Sequence, residues 1–262
     1  MTGLMLPASI AEIVGNGTLS RDTVGCSASA VFRVQGLAGG GNAYLKILAA
    51  VEDDDLRRER DVLEWLTSRL PVPRVLDFEQ EGQTQYLLMT EAPGSSAADE
   101  LQATEAEQVI SRLAEALRVV HAVDISTCPF DMRLDVKLAE ARARIDSGLV
   151  DEGDFEGVNM GRSAMDIYHE LIATRPDHEE LVFTHGDYCL PNIMLTDGAV
   201  SGFLDLGRAG IADRYTDLAL AARSIRHNTG YQQLAGLFSE AYDLGEVDWQ
   251  RVDYYILLDE LF

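Results

Sequence analysis

Between residues 181 and 207 three short apolar runs, Leu181-Val182-Phe183, Ile193-Met194-Leu195 and Val200 to Leu204, are separated by Thr184-His185-Gly186-Asp187-Tyr188-Cys189-Leu190-Pro191-Asn192 and by the pair Asp197-Gly198. Runs this short, punctuated by glycine, proline and an Asp-Gly pair, read as strands joined by one loop and one hairpin. That arrangement puts Asp187, Asn192 and Asp205 on loops at strand ends. No other stretch of the chain limits its fold as tightly.

Alone, Asp187 is an ordinary loop aspartate and Asn192 a turn former after Pro191. Together with Asp205 they match the needs of phosphoryl transfer. Asp187 supplies a carboxylate facing an acceptor hydroxyl, and the Asn192 amide oxygen and Asp205 carboxylate hold magnesium. His-Gly-Asp, four intervening residues, Asn, an apolar run, a hairpin and Asp-Leu-Gly is similar in types, order and separation to the catalytic loop and magnesium loop of kinases. His185 reads as a brace for the loop, with a base role as the minority reading. Arg208 is open to two readings, as partner of a loop carboxylate or as a substrate contact.

Upstream, Ala30 to Val34 and Ala43 to Leu48 are β-prone runs separated by Gly36 and Gly39-Gly40-Gly41, the pattern of a hairpin. Lys46 falls inside the second strand. Leu56, Leu63, Leu66 and Leu70 then recur at helical spacing, with Asp53-Asp54-Asp55 at the N-terminus and Pro71 and Pro73 as the stop. Glu59 on that helix is the preferred carboxylate partner for Lys46, with Glu64 as its rival. Two more strands, near Arg74 to Phe78 and Gln85 to Thr90, flank Glu81-Gly82, and Glu91-Ala92-Pro93-Gly94 reads as a boundary. Val24 to Ser29 precedes the first hairpin where a phosphate cover is expected. It is poor in glycine, but Ser27 and backbone amides are able to donate to a phosphate. Tyr44, Met89 and Ala92 are candidate adenine contacts, with a core-strand reading open for Tyr44 and Met89.

Beyond the boundary, Thr104-Glu105-Ala106-Glu107 reads as a capping box ahead of a helix with Ile110, Leu113, Leu117 and Val120 on one face. Asp151 to Gly157 is acidic and glycine-punctuated, hence a loop, and Met165 to Ala173 reads as helix. There is no internal repeat or low-complexity tract. The formal charge is −23, from 44 acidic and 21 basic residues. Such a balance disfavours nucleic acid and anionic lipid and suits a cationic ligand, although a solubilising surface explains it equally well. Three cysteines without paired spacing, no secretory leader and no apolar run of membrane length point to a cytoplasmic protein.

The motif set resembles the aminoglycoside 3'-phosphotransferases, the kanamycin and neomycin kinases. The resemblance also draws on Pro71-Val72-Pro73, Cys128-Pro129-Phe130, Val200 to Arg208 and the terminal Tyr255 to Phe262. It implies an α+β, two-lobed, protein-kinase-like fold. Residues 1–93 form a nucleotide-binding lobe with an antiparallel sheet and one helix, and residues 94–262 a larger, mainly helical catalytic and acceptor-binding lobe. It implies ATP with two magnesium ions and a polycationic aminoglycoside as acceptor, with no nucleic acid, membrane or protein partner. Carried over by position, Lys46 and Glu59 serve the nucleotide, Asp187 the hydroxyl, and Asn192 and Asp205 the metal. Acceptor binding falls to Asp259, Glu260 and the carboxylate of Phe262, with Asp154 and Glu156 of the acidic loop as further amine binders and Arg208 beside them.

A kinase for another small hydroxyl compound (choline, homoserine, a fructosamine or a macrolide) shares the nucleotide residues but has no use for the acidic C-terminal residues. A protein kinase is disfavoured, because the helix-like stretch from Arg214 to Arg226 follows Asp205 too soon for an activation segment. A nucleotide-binding protein without catalysis is disfavoured by the complete catalytic set.

Overall fold

Short β-prone runs separated by turns build the first third of the chain; the computed structural model describes residues 5–22, 29–49, 55–103, 105–230 and 232–262. The backbone divides into two units, one of Met1–Pro93 with Ser201–Gly207, the other of Gly94–Val200 with Arg208–Phe262. The segment 201–207, expected with the residues on either side, groups with the first unit, where it makes several hydrogen bonds. Phe203 N–H donates to Pro71 O at 2.9 Å and Ser201 Oγ to Pro93 O at 2.5 Å. Arg58 Nε donates to Gly207 O at 2.7 Å.

In the first unit, α1 (Ala8–Val14) leads into β1 (Thr18–Asp22), β2 (Ala30–Gln35) and β3 (Asn42–Ala49), then α2 (Leu56–Leu66), β4 (Val75–Glu81) and β5 (Thr84–Thr90). The strands form one antiparallel sheet in the order β1-β2-β3-β5-β4. Ala43 and Leu45 of β3 join Val34, Tyr86 and Leu88 in a core closed by Ile10 and Val14 of α1. One helix was expected here and two are present among the described residues, since Ile10 and Val14, four apart, give α1 a buried stripe. Because successive strand residues face opposite sides, Lys46 lies across the sheet from Leu45, on the side where Glu59 of α2 meets it. Asp55 caps α2 by accepting the N–H of Arg57, and the helix ends before Pro71. Asp53 and Asp54 lie outside the described residues.

The second unit begins with β6 (Ser95–Ser96), α3 (Ala97–Ala103), α4 (Ala106–His121), α5 (Leu134–Asp146) and α6 (Ala164–Ala173). Four short strands follow along the chain, β7 (Leu181–Thr184), β8 (Ile193–Thr196), β9 (Ala199–Phe203, its last three residues grouped with the first unit) and β10 (Gly210–Asp213), then α7 (Tyr215–Thr229), α8 (Gln232–Tyr242) and α9 (Trp249–Asp259). α4 buries Ile110, Leu113, Leu117 and Val120 as its spacing predicts, worth ~1.5–3 kcal/mol for each large apolar side chain fully removed from water. Glu105, not Thr104, is its N-cap and makes no side-chain cap bond, while Thr104 lies outside the described residues. β7 and β10 pair antiparallel with Thr184 opposite Gly210. β6, β8 and β9 form the other small sheet, and Asp197 and Gly198 turn β8 into β9 with φ of 50° and 78°. Positive φ at both positions is what a two-residue hairpin turn of type I′ requires. Among the described residues no helix is long and apolar enough to cross a membrane.

Candidate active site

In the first unit the Lys46 ammonium donates to both oxygens of Glu59, at 2.7 and 2.9 Å, and also to the carboxylate of Asp205. Glu64 is exposed on the other side of α2, so the helical register selects Glu59. Burial by itself would lower the lysine's pKa. The Glu59 and Asp205 charges outweigh it and hold the ammonium above its ordinary value. Asp205 adopts a left-handed φ of 58°, a backbone state aspartate tolerates better than most residues. Tyr44 and Met89 face each other across β3 and β5; Met89 is buried in the sheet and Tyr44 is half-buried. Glu91, bound by Arg33 and Asn42 at 2.7 Å each, fixes the strand end beside the half-buried Ala92. Ser27 lies outside the described residues.

In the second unit the loop after β7 is built around a carboxylate from α7. Asp217, fully buried, accepts the N–H of His185 at 2.7 Å and of Gly186 at 2.8 Å, and pairs with His121 Nε2 at 3.0 Å. His121 Nδ1 in turn meets the Tyr242 hydroxyl at 2.7 Å. Gly186 has φ +83°, and a Cβ there would sit 2.1 Å from the carbonyl oxygen of Arg208, so glycine is required by conformation and by space. His185 is buried, and its Nδ1 accepts the N–H of Asp187 at 3.3 Å, the bracing contact expected of it. Tyr188 is buried and donates to Leu113 O at 2.8 Å.

Asp187 is thereby presented with both carboxylate oxygens engaged: Oδ1 by Cys189 Sγ at 3.0 Å and Oδ2 by Asn192 Nδ2 at 2.8 Å. Burial, then the Asp187 charge, pushes the Cys189 thiol well up, so it stays protonated. Asn192 spends its amide N–H groups on Asp187, leaving the carboxamide oxygen as its acceptor. Among the described residues no cluster of three or more His, Cys, Asp or Glu side chains could hold a metal unaided. Magnesium is a hard ion that takes oxygen donors and is commonly bound through few protein ligands, and in chemical type the Asp205 carboxylate of the first unit and the Asn192 amide oxygen of the second are each such a donor.

The residues expected at the acceptor are more entangled than sequence suggested. Asp259 is paired with Arg208 at 3.1 Å and Arg223 at 2.5 Å. Glu260 accepts the N–H of Glu156 at 3.2 Å and Asn159 Nδ2 at 3.1 Å, tying the acidic loop to the end of α9. Asp154 lies exposed in a turn closed on Asp151 O at 3.1 Å. The Phe262 ring carries Lys137 Nζ 3.2 Å from its centroid, with Arg144 and Arg208 at 5.5 and 5.8 Å. Burial lowers Lys137 to about 8 despite its contact with Glu140. Lys137, Arg208, Asp259 and Phe262 line, with Gly186, a cavity of about 40 Å³.

Residues 18–255 match the model of the phosphotransferase enzyme family. An aminoglycoside 3'-phosphotransferase of Niallia circulans is 39% identical, covering 98% of this chain and 97% of that protein, and one of Enterococcus faecalis is 37% identical over the whole of both. The chain belongs to the aminoglycoside 3'-phosphotransferase family. The crystal structure of an aminoglycoside 3'-phosphotransferase of type VIII superposes with a TM-score of 0.82 at 32% identity, covering 93% of this chain and 94% of that one. An aminoglycoside phosphotransferase of Streptomyces rimosus, in complex with ADP and streptomycin, has a TM-score of 0.79 at 28% identity and covers 97% and 96%. These likenesses place this aminoglycoside 3'-phosphotransferase family member in the kinase-like fold class expected from its motifs.

Four residues that organise the candidate site were not singled out from the sequence: Cys189, Asp217, Arg223 and Lys137. Cys189 sits inside the motif, and its separation of two from Asp187 was the available signal. The others act across long separations that no local pattern marks.

Proposed function

We propose that the chain transfers the γ-phosphoryl group of ATP to the 3'-hydroxyl of an aminoglycoside. The observation carrying this reading is the Asp187 carboxylate, held at both oxygens on a loop that Asp217 and Gly186 leave little freedom to move. In the step, the acceptor oxygen forms a bond to the γ-phosphorus as the bond to the β,γ-bridging oxygen breaks. The hydroxyl proton passes to Asp187 and ADP leaves. Asp187 is needed late, because a loose transition state makes alignment and charge neutralisation the larger contributions. Lys46, aimed by Glu59, binds nucleotide phosphate, and Tyr44 on β3, Met89 on β5 and Ala92 just after β5 are assigned to the adenine. Asn192 and Asp205 are the residues that would hold two magnesium ions, which supply neutralisation of charge on the phosphates.

Aminoglycosides carry several ammonium groups. An exposed pair with a carboxylate is worth ~0.2–1 kcal/mol, so recognition rests on many contacts and weakens with salt. Glu156, Asp154, Asp259 and Glu260 are the residues assigned to them, with Arg208 setting the orientation of Asp259. Cys128 and Cys189 form no disulfide with each other.

The test is ADP release by purified protein with Mg-ATP and kanamycin, neomycin or tobramycin, which lacks the 3'-hydroxyl. Turnover with the first two and none with the third is expected. Silence with all three would overturn the activity, and turnover with tobramycin would overturn the position of transfer.

A further inference from the structure

The thiol of Cys189 lies 3.0 Å from Asp187 Oδ1, and the two residues are also joined through the backbone, Cys189 N–H donating to Asp187 O at 2.8 Å. The opposite oxygen is held by Asn192 Nδ2 at 2.8 Å, and Asn192 N–H closes on Cys189 O at 2.9 Å. Asp187 therefore sits between two donors inside one short turn. Leu190 N–H donates to Ser224 Oγ at 3.0 Å, which fixes that turn to α7. Without a thiol, Oδ1 would lose its hydrogen-bond donor, leaving the longer-range charge of Arg223, solvent or substrate to orient it, and Asn192 would be the one hydrogen-bonded restraint on the carboxylate's rotation.

We propose that Cys189 is a positioning residue for Asp187, its S–H group donating to Oδ1 so that the carboxylate keeps the rotamer in which it meets the acceptor hydroxyl. The inference rests on the reading of Asp187 as the carboxylate facing that hydroxyl. A neutral donor is suited to this place: it restrains the carboxylate without neutralising it, as a cation would, and without competing for the proton that the reaction delivers. Misplacement of a reacting group by about 1 Å can cost on the order of a hundredfold in rate, and a freed rotamer spends only part of its time misplaced. The effect belongs in kcat, since neither substrate is bound through the thiol.

Three variants of the full chain test this. Cys189→Ala lowers kcat five- to twentyfold with KM for ATP and for kanamycin within twofold of the parent, and Cys189→Ser, which keeps a donor, recovers kcat to within threefold. Unchanged kcat in Cys189→Ala, or equal losses in the alanine and serine variants, would overturn the proposal. The S–H stretching band of Cys189, taken as the Raman difference between the parent and Cys189→Ala, reads the contact independently of turnover. It lies at the low frequency of a hydrogen-bonded thiol and moves up in Asp187→Ala; a band at the free-thiol frequency in the parent would overturn the contact itself. Should Cys189→Ala not fold, the same band is read as the difference between parent and Cys189→Ser. If Asp187→Ala keeps full kcat, the proposed function fails, whatever the thiol band shows.

Discussion

The carboxylate of Asp217 accepts the backbone N–H of Gly186 at 2.8 Å, so the loop bearing Asp187 is held from α7 by a side chain fully shielded from water. Asp217→Ala would strand two buried backbone N–H groups, those of His185 and Gly186, along with the ring of His121. Leaving buried donors unsatisfied costs ~1–3 kcal/mol each, and the expected loss of stability is about 3 kcal/mol. Urea unfolding of parent and variant measures it, and a loss below about 1 kcal/mol would show that water replaces the carboxylate.

Gly186→Ala combines a left-handed backbone with a Cβ placed against Arg208 O. Strain of this type costs ~1–3 kcal/mol before the clash is counted, and the turn relieves it by moving Asp187. A fall in kcat of more than a hundredfold is expected with nucleotide affinity unchanged. Turnover assays alongside calorimetric titration with a non-hydrolysable ATP analogue separate the two.

Lys46 titrates above its ordinary value because Glu59 and Asp205 outweigh its burial. A lysine raised in the folded state contributes its full stability below the unfolded value and loses it only as pH rises through the folded one. The pair is therefore intact throughout pH 6–9, and KM for ATP should be flat there. Glu59→Gln removes the aiming carboxylate and should raise KM for ATP about tenfold, as read by initial rates. A change confined to KM for the aminoglycoside would reassign the pair.

Lys137 behaves oppositely. Burial lowers it to about 8, so between pH 8 and its unfolded value near 10.5 the unfolded chain holds a proton the folded chain has lost. Stability attributable to this group therefore rises with pH across that window. Lys137→Met should flatten the rise and increase the melting temperature at pH 7, where the parent buries a charge. Thermal melts at pH 7, 8 and 9 provide the comparison; an unchanged slope would mean the Phe262 ring and Glu140 compensate the burial fully.

Local pattern carried much of this fold. Glycine-punctuated β-prone runs located β2 through β5, the stripe Ile110, Leu113, Leu117 and Val120 located the buried face of α4, and Asp197-Gly198 located the β8–β9 turn. Helical register also chose Glu59 over Glu64 as the partner of Lys46. Contacts between residues far apart in sequence were not legible. Asp217 with Gly186, and Arg223 with Asp259, depend on where α7 packs, and that is decided by the summed burial of many apolar side chains. The same blindness made Asp259 and Glu260 look like simple acceptor ligands, when the first is paired with two arginines and the second ties down the acidic loop. The short α1 escaped notice because two buried residues give little periodicity to read.

Lys46 is shared between Glu59 and Asp205. With both Glu59 contacts kept, a phosphate that reaches this ammonium takes it from Asp205, and the aspartate it displaces is the one assigned to the metal. On the proposed reading, nucleotide capture is a swap of partners with almost no net gain in charge pairing at the lysine. Its favourable free energy then has to come from the new engagement of Asp205. On the same reading, nucleotide stripped of its metal would offer that aspartate nothing, and the chain would prefer the loaded form over the bare polyanion.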